Sequence, residues 1–532
     1  MENKFVSLIF PDKEALERHT ARECIPNISE DTSSELGLSE IFDMKSAEIS
    51  DFYTRDIETI RYRQHTVRDL MNVPEVLKTL SEIHPILHDI RELRRLDDDQ
   101  ISGVDSYLYS ISEIELYVSC IETLKKGIMS VRDRLTSPAC KRLAGYIDEI
   151  TESDYYNDLT KRLEKLSERV SDVKSITVGV NLDREMRPES ACVVSINSEK
   201  FKSGKALDKI MRLSFRNDAF TAIAELSPVM RGASENKKEA LIGAFNTAIE
   251  DVFHSSVRSW RAIVSEYVIE NTDFLIRLLP EIEFVSRSAE LIGKLESSGL
   301  SVCYPELATE EERVFEAKGL YNPRVALFND GQIVDNDFKF DENAGIYVLS
   351  GPNRGGKSVI TVALGAAQAM CQLGLPVCAE AAVISPVSGI FTHFPEGALD
   401  TIDKGRLGEE CARLCEIFDA CDDKTMILLD ESLSSTGAYE ASYIAAEILA
   451  AFACLKTRGI FSTHLHELAA SVPEINERSR ARGGVMIDTL VAGIEDGIRS
   501  FKIHRMKPDG RSYARDIANK YGLSFDNLMK GR

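Results

Sequence analysis

The sequence predicts an α-helical region with a small β-containing insertion, followed by an α/β domain that contains a glycine-rich loop. Three observations predict this fold class. Apolar residues recur three and four apart through most of residues 46–173, alternation replaces that period at 176–182 and 192–196, and a glycine-rich loop follows an apolar strand at 351–358. Because 532 residues are too many for one hydrophobic core, we expect roughly two to four domains.

The first 45 residues lack strong periodicity, and we interpret them as either a loose opening segment or a small adaptor. The helical pattern follows, with apolar positions such as Ile57, Ile60, Val67 and Leu70, and helical runs continue at 76–90, 111–128 and 159–173. Two alternating stretches at 176–182 and 192–196 flank a turn-like segment, which predicts a β-hairpin inserted among helices. A helical pattern then resumes and ends near Gly299 and Pro305, where alternating strand and helix signals begin.

Composition limits the functional classes. The net charge is −22 at pH 7, whereas nucleic-acid-binding proteins usually present a basic surface, so DNA binding would require a local basic patch. Eleven cysteines are scattered singly, which favours a reducing compartment. The amino terminus lacks a secretory pattern, and the apolar stretch 444–455 is too short to span a bilayer. We therefore expect a cytoplasmic protein with no membrane partner.

The segment 351–358 is expected to bind the phosphates of ATP. The apolar strand 346–350 leads into it and a helical pattern from 359 to 373 follows, which is the context that the GxxxxGK[ST] pattern requires. Glycines allow backbone amides to face the phosphates, and a helix amino terminus favours negative charge. We expect Lys357 to contact the β- and γ-phosphates and Ser358 to ligate Mg²⁺. The loop consists of Gly351, Pro352, Asn353, Arg354, Gly355, Gly356, Lys357 and Ser358.

Two further strands end in polar residues that suit the same reaction. The apolar run 425–429 ends in Asp430, a second candidate Mg²⁺ contact, and Glu431, a candidate general base for the attacking water. The next strand, 459–462, leads to His464. That histidine either contacts the γ-phosphate or is an ordinary hydrogen-bonded loop residue.

These motifs resemble those of the MutS family of DNA mismatch-repair ATPases. The loop is similar to that family's GPNMGGKST, with Arg354 in place of Met and Val359 in place of Thr. The segment 463–468 matches its THxxEL pattern, which favours His464 as a γ-phosphate sensor, and Ile333 falls where an aromatic residue often packs on the adenine. Weaker similarity extends to residues 60–67, 321–324, 390–393 and 508–514.

The resemblance implies a specific architecture. Residues 46–305 would form a helical core and lever domain with a clamp-like insertion at about 174–260, and residues 306–532 a MutS-type, ABC-like ATPase domain with carboxyl-terminal dimerisation helices. It further implies ATP and Mg²⁺ as ligands, a homodimer joined through the ATPase domains, and DNA as a partner. Residues 1–45 are too few for the family's mismatch-recognition and connector domains, so we expect no mismatch reading by this chain itself.

Departures from the family pattern concern the loops that contact ATP across the dimer interface. The family's Ser-Thr loop corresponds here to residues 405–410, with Gly405 where a serine is expected. Arg406 is our candidate for the contact to the neighbouring nucleotide. The alternative is that Arg406 pairs with Glu409 or Glu410 at its own helix start.

A basic cluster after the predicted hairpin is the candidate DNA contact, because backbone phosphates require only positive charge. The alternative is a solvated helix face. Its members are Lys200, Lys202, Lys205, Lys209, Arg212 and Arg216.

Two functional hypotheses follow. In the first, a dimeric MutS-like ATPase closes helical levers around DNA. In the second, an ATP-driven conformational switch acts on a protein partner without binding DNA, which agrees with the acidic charge. An ABC-type or SMC-like ATPase would carry an LSGGQ-type signature before residue 425, and none is present.

Overall fold

The computed structural model describes residues 5–98, 104–171, 175–182, 184–186, 188–197, 202–203, 221–222, 273–329, 332–352, 355–394, 405–495, 498–506 and 528. The chain divides into two compact units. The first unit draws on Met1–Pro74, Leu135–Lys141 and Phe284–Arg532, and the second on Glu75–Arg134 and Arg142–Glu283. Neither unit is a single consecutive stretch of the sequence.

The described part of the second unit consists mainly of long helices, whose apolar residues three and four apart, such as Leu80, Ile83 and Leu87, are buried. Gly127 allows one close approach, since a Cβ atom there would collide with the side chain of Thr79. Tyr117 and Tyr156 meet edge to face, with ring centroids 6.5 Å apart. Helices that lie wholly or mostly in this unit are Pro74–Asp98, Val104–Met129, Pro138–Glu152 and Asp154–Ser171, and the helix at residues 273–297 begins there.

A β-hairpin lies between these helices in the sequence, as the alternation predicts. Strands β1 (Ser175–Leu182) and β2 (Pro188–Asn197) pair antiparallel. Met186 in the connecting turn has a φ of 61° and an exposed side chain. Two short strands, β3 (Lys202–Ser203) and β4 (Thr221–Ala222), pair in parallel.

The basic cluster proposed to contact DNA lies largely outside the described residues. This applies to Lys200, Lys205, Lys209, Arg212 and Arg216, while Lys202 is described only as part of β3.

The described residues of the first unit form two sheets. The six-stranded sheet has the order β10-β11-β12-β8-β13-β14; its strands are parallel except β14, which runs antiparallel to β13. The four-stranded sheet has the order β5-β9-β6-β7. The strands are β5 Glu306–Leu307, β6 Phe315–Leu320, β7 Asn336–Lys339, β8 Ile346–Ser350, β9 Ala381–Ile384, β10 Ile390–His393, β11 Met426–Asp430, β12 Arg458–Thr463, β13 Ile487–Glu495 and β14 Ile498–Arg505.

Helices cover the six-stranded sheet, and its central strands are accordingly almost wholly apolar. Every residue of β8, β11 and β12 is buried. The covering helices are Lys357–Gln372, Gly405–Ala420, Ala438–Leu455 and His466–Arg480, while the short helix Pro323–Phe328 packs on Lys357–Gln372. The helix Ala438–Leu455 is long and apolar enough to cross a membrane by length and composition alone, but its buried residues, Leu449 and Phe452 among them, belong to the core of this unit.

One of our two interpretations of the first 45 residues, a loose opening segment, is wrong for residues 5–45. They form the helices Lys13–Thr20, Glu30–Glu35 and Leu38–Phe42, which are too short to display a period in the sequence. Leu36 is fully buried beside Gly365 of the helix Lys357–Gln372, where a Cβ atom would clash with it. The fully buried Arg63, in the helix Ile57–Asn72, donates from Nε to the carbonyl oxygen of Ile9 at 3.1 Å. The segment is therefore an integral layer of the first unit.

Candidate nucleotide-binding site

The loop after β8 is built around a buried lysine. Lys357 begins the helix Lys357–Gln372, and its Nζ donates to the carbonyl oxygens of Gly351 and Pro352 at 3.2 and 3.3 Å. Nζ also lies 3.8 Å from Oε1 of Glu431. Burial lowers the pKa of Lys357, and the charges of Glu431 and Asp430 oppose that shift. The ammonium group is thus held at the loop by acceptors that a phosphate could replace.

A glycine is required where this loop meets β14. Gly356 has a φ of 91°, which disfavours any residue with a Cβ atom, and an added Cβ would lie 3.4 Å from the ring of Phe501. Of the other predicted loop residues, Gly351, Pro352 and Gly355 are buried, while Ser358 and Val359 are exposed. Asn353 and Arg354 lie outside the described residues.

The carboxylate of Asp430 fits a cation that is ligated through oxygen. Its Oδ1 is buried and has no hydrogen-bond partner among the described residues. Burial raises the pKa of Asp430, whereas hydrogen bonding from the Ser358 hydroxyl and the charge of Lys357 favour the ionised form. An unsatisfied carboxylate oxygen beside a serine hydroxyl is the donor set that Mg²⁺ uses at nucleotide sites.

Glu431 lies on a constrained turn after β11. Its φ is 47°, and its N–H donates to the carbonyl oxygen of Ser462 at 2.8 Å, which fixes the backbone against β12. The Glu431 side chain is 32% exposed, so water can reach it. The structure therefore brings Lys357, Ser358, Asp430 and Glu431 together at the carboxyl edge of the parallel strands, where α/β folds bind ligands.

The residue after Glu431 contacts a buried histidine that the sequence analysis did not single out. Nδ1 of His393, at the end of β10, lies 2.8 Å from Oγ of Ser432, whose hydroxyl donates to the carbonyl oxygen of His393 at 3.2 Å. Burial lowers the pKa of His393 to about 4, with help from the charge of Arg413. The neutral imidazole of His393 is therefore hydrogen-bonded to the turn that carries Glu431 and helps to fix its position.

His464 follows β12 at the same edge of the sheet. It is exposed and lines a small cavity of about 50 Å³ with Ser432, Ser434 and Thr436. Because β12 pairs with β8, His464 lies at the same end of the sheet as the loop 351–358.

A larger cavity of about 530 Å³ adjoins the loop on its other side. Ile333, the residue predicted to pack on the base, lines it, as do Gly356 and Val359 of the loop and helix start. Phe501 of β14 also lines it and was missed by sequence reasoning, since an isolated phenylalanine in an alternating strand carries no motif. Its φ of 57° and its 43% exposure distinguish it from a core aromatic. The size and apolar walls suit a nucleobase.

Hydrogen bonds join the two walls of this cavity. Nδ2 of Asn336 donates to the carbonyl oxygen of Phe501 at 3.3 Å, and the N–H of Ile503 donates to Oδ1 of Asn336 at 2.8 Å. Lys502 forms an ion pair with Asp335 at 2.6 Å. The segment that carries Ile333 and the strand that carries Phe501 are therefore held together.

The predicted contact of Arg406 with the nucleotide of a neighbouring subunit stays a prediction. Residue 406 belongs to the helix Gly405–Ala420, but the Arg406 side chain lies outside the described part of the chain.

Comparison with known families agrees with this site. Residues 347–490 match the family model described as MutS domain V, and residues 55–298 match the one described as MutS2 N-terminal domain. The first match contains all but the first residue of β8, the helix Lys357–Gln372, β11 and β12, which carry the site.

Several curated relatives match parts of the chain. A DNA mismatch repair protein MutS from Thermosynechococcus vestitus is 32% identical over 241 residues, which is 43% of this chain and 26% of that protein. The MutS protein of Synechococcus sp. strain CC9311 is 28% identical over 235 residues, 43% of this chain and 25% of that protein. An endonuclease MutS2 from Streptococcus equi subsp. equi is 26% identical over 266 residues, 48% of this chain and 32% of that protein. The chain thus spans about a quarter to a third of the length of these relatives. On the two family models and these relatives together, the chain belongs to the MutS family.

Proposed function

We propose that this chain binds Mg²⁺-ATP at residues 351–358 and hydrolyses it, as a MutS-like ATPase. The proposal rests on what lies together at one edge of the six-stranded sheet. Buried Lys357, the unsatisfied carboxylate of Asp430 and water-accessible Glu431 lie next to a cavity that suits a nucleobase. In this arrangement the base occupies the cavity lined by Ile333 and Phe501, and the phosphates extend toward Lys357.

Each residue has a defined role in the proposed reaction. Lys357 exchanges its two carbonyl acceptors for the terminal phosphates, and Ser358 and Asp430 hold the metal ion. When bound, Mg²⁺ neutralises charge that develops on the phosphate oxygens. Glu431 orients water and accepts its proton, and His464 contacts the γ-phosphate. The turn that carries Glu431 is fixed by its bond to Ser462, so little reorganisation is needed.

Magnesium titration tests the metal site. We expect Asp430→Asn to raise the Mg²⁺ concentration needed for half-maximal turnover by roughly tenfold or more, because one anionic ligand is lost. Asp419→Asn removes a carboxylate from an exposed position of the helix Gly405–Ala420 and should leave that concentration unchanged. Equal metal requirements in the wild type and Asp430→Asn would contradict the assignment.

We further propose that the nucleotide closes a homodimer through the ATPase domains and that the helical region, with its β1–β2 hairpin, acts as a clamp around DNA. Family membership supports this, since two of the relatives above are named DNA mismatch repair proteins. The acidic net charge of −22 supports the competing proposal of a protein partner.

DNA-binding measurements distinguish the DNA clamp from the switch that acts on a protein partner. They use duplex, mismatched, forked and four-way DNA, with and without ATP and across a salt series. A DNA clamp gives ATP-dependent binding that weakens steeply with salt. The protein partner would be favoured if the chain bound none of these DNAs while its mass by light scattering still doubled on adding ATP. A mass that stays monomeric in ATP would contradict the closed dimer.

A further inference from the structure

The opposite edge of the same sheet contains a buried cation that the nucleotide site does not use. Strands β11 and β12 begin side by side, with Met426 paired to Arg458 in register. The Arg458 residue is 2% exposed. Its Nε, Nη1 and Nη2 are all buried, and none has a hydrogen-bond partner among the described residues. Asp430 and Thr463, at the other ends of these two strands, mark the nucleotide edge.

A second arginine lies next to it. Arg313 precedes β6 and donates from Nη2 to the carbonyl oxygen of Lys456, while its Nε is buried without a partner in the described part of the chain. Burial lowers the pKa of Arg458 to about 9, and the charge of Arg313 adds to that shift, so the two guanidinium groups are close enough to repel. Arg458 is therefore still a cation at neutral pH.

Among the described residues, no acid forms an ion pair with either arginine. The charge of Asp423 favours the ionised form of Arg313, but Asp423 is exposed, and no ion pair joins it to either arginine within the ranges that the structure describes. The neighbouring Asp422 is engaged elsewhere, since it accepts from the hydroxyls of Ser388 and Thr425. Buried charges in proteins are almost always paired, because an isolated buried charge is strongly destabilising.

We propose that Arg458 and Arg313 form an anion site for a doubly charged oxyanion, phosphate or sulfate, at the amino edge of β11 and β12. The planar fork of a guanidinium matches pairs of oxyanion oxygens, and the several unused N–H donors exceed what a chloride ion can accept with good geometry. Two positive charges are neutralised by one dianion. Arg313 is only half-buried, so the solvent-facing side of the site lies at this residue.

Thermal unfolding in the presence of saturating Mg²⁺-ADP tests this site, because the nucleotide then occupies the phosphate-binding loop. Phosphate, sulfate and chloride are compared at matched ionic strength. We expect the wild-type midpoint to rise by roughly 2 to 4 °C at a phosphate concentration a hundred times its dissociation constant. Salts that are excluded from protein surfaces, such as sulfate, raise the unfolding temperature of most proteins without binding to a site. The informative quantity is therefore the difference between the midpoint shifts of the wild type and a variant.

Arg458→Met retains much of the side-chain length and removes the charge. It should lose the part of the rise by which phosphate and sulfate exceed chloride in the wild type. At low anion concentration it should unfold at a higher temperature than the wild type, because the unpaired buried charge is gone. Arg313→Gln should weaken the phosphate response at least severalfold. Arg478→Gln, which removes an exposed arginine paired with Glu447, should respond as the wild type does.

Two results would overturn the proposal. One is an equal phosphate response in the wild type and Arg458→Met. The other is the absence of any phosphate-binding heat in calorimetry of the ADP-loaded wild type, a measurement that holds even if Arg458→Met does not fold.

Discussion

The two edges of the parallel sheet differ in how each satisfies a buried cation. At the carboxyl edge, Lys357 has two carbonyl acceptors within 3.3 Å and the Glu431 carboxylate at 3.8 Å. At the amino edge, Arg458 is more deeply buried, and its guanidinium group has no hydrogen-bond partner among the described residues. A cation with replaceable partners is ready for a ligand that comes and goes with turnover. A cation without partners requires a resident anion, and its free energy of burial depends on solution composition.

The largest expected effect separates the two edges directly. Lys357→Met should lower ATP affinity by roughly a hundredfold or more, because the charge that stabilises the terminal phosphates is lost. Arg458→Met makes the same kind of change at the other edge and should leave ATP affinity within about twofold. Equilibrium binding of a fluorescent ATP analogue measures both. If the two variants lost affinity equally, the edges would not be functionally distinct.

A smaller effect is expected in the base cavity. Phe501→Ala should weaken ATP binding by roughly tenfold, because about 1 to 1.5 kcal/mol of aromatic contact with the base is lost. Phe328→Ala removes a phenylalanine that is 70% exposed and does not line the cavity, so it serves as the control. Inorganic triphosphate should bind both variants as it binds the wild type. A Phe501→Ala protein with unchanged ATP affinity would place the base elsewhere.

The smallest effect concerns stability at the carboxyl edge. Because burial lowers the folded-state pKa of His393 from 6.5 to about 4, the unfolded chain takes up this proton first as the pH falls. The histidine's contribution is therefore present above pH 6.5 and is lost progressively toward pH 4, by roughly 3 kcal/mol in total.

Urea unfolding at several pH values compares the wild type with His393→Gln. The variant should show a shallower loss of stability between pH 6.5 and 4.5. His88→Gln, at an exposed helix position, should follow the wild type. Parallel curves for the wild type and His393→Gln would mean that His393 titrates normally in the folded protein.

Sequence patterns predicted the carboxyl edge well, because the phosphate-binding loop needs particular residue types in a fixed order. The positions of β8, β11 and β12 follow from their short apolar runs, and the β1–β2 hairpin follows from alternation. Lys357, Asp430 and Glu431 could be placed at one edge because the carboxyl ends of parallel strands meet there.

Other features depend on tertiary contacts that leave no local pattern. In the sequence, Arg458 follows Lys456 closely and has the pattern of a solvated residue. Its burial depends on the neighbouring strand β11 and on Arg313, which are distant in the sequence. Phe501 becomes a cavity wall only because β14 lies beside the segment that carries Ile333. The helices of residues 5–45 are too short for periodicity, so their packing beside Gly365 could not be foreseen.

Single-turnover hydrolysis by Glu431→Gln tests the central claim most directly. The amide retains the size of the side chain but cannot accept a proton, so we expect ATP affinity to stay within a few-fold and the rate to fall at least about a hundredfold. Glu416→Gln, on the exposed face of the helix Gly405–Ala420, is the matched control and should hydrolyse ATP at the wild-type rate. A Glu431→Gln protein that binds ATP and hydrolyses it at near the wild-type rate would contradict the account, since another group would then activate the water.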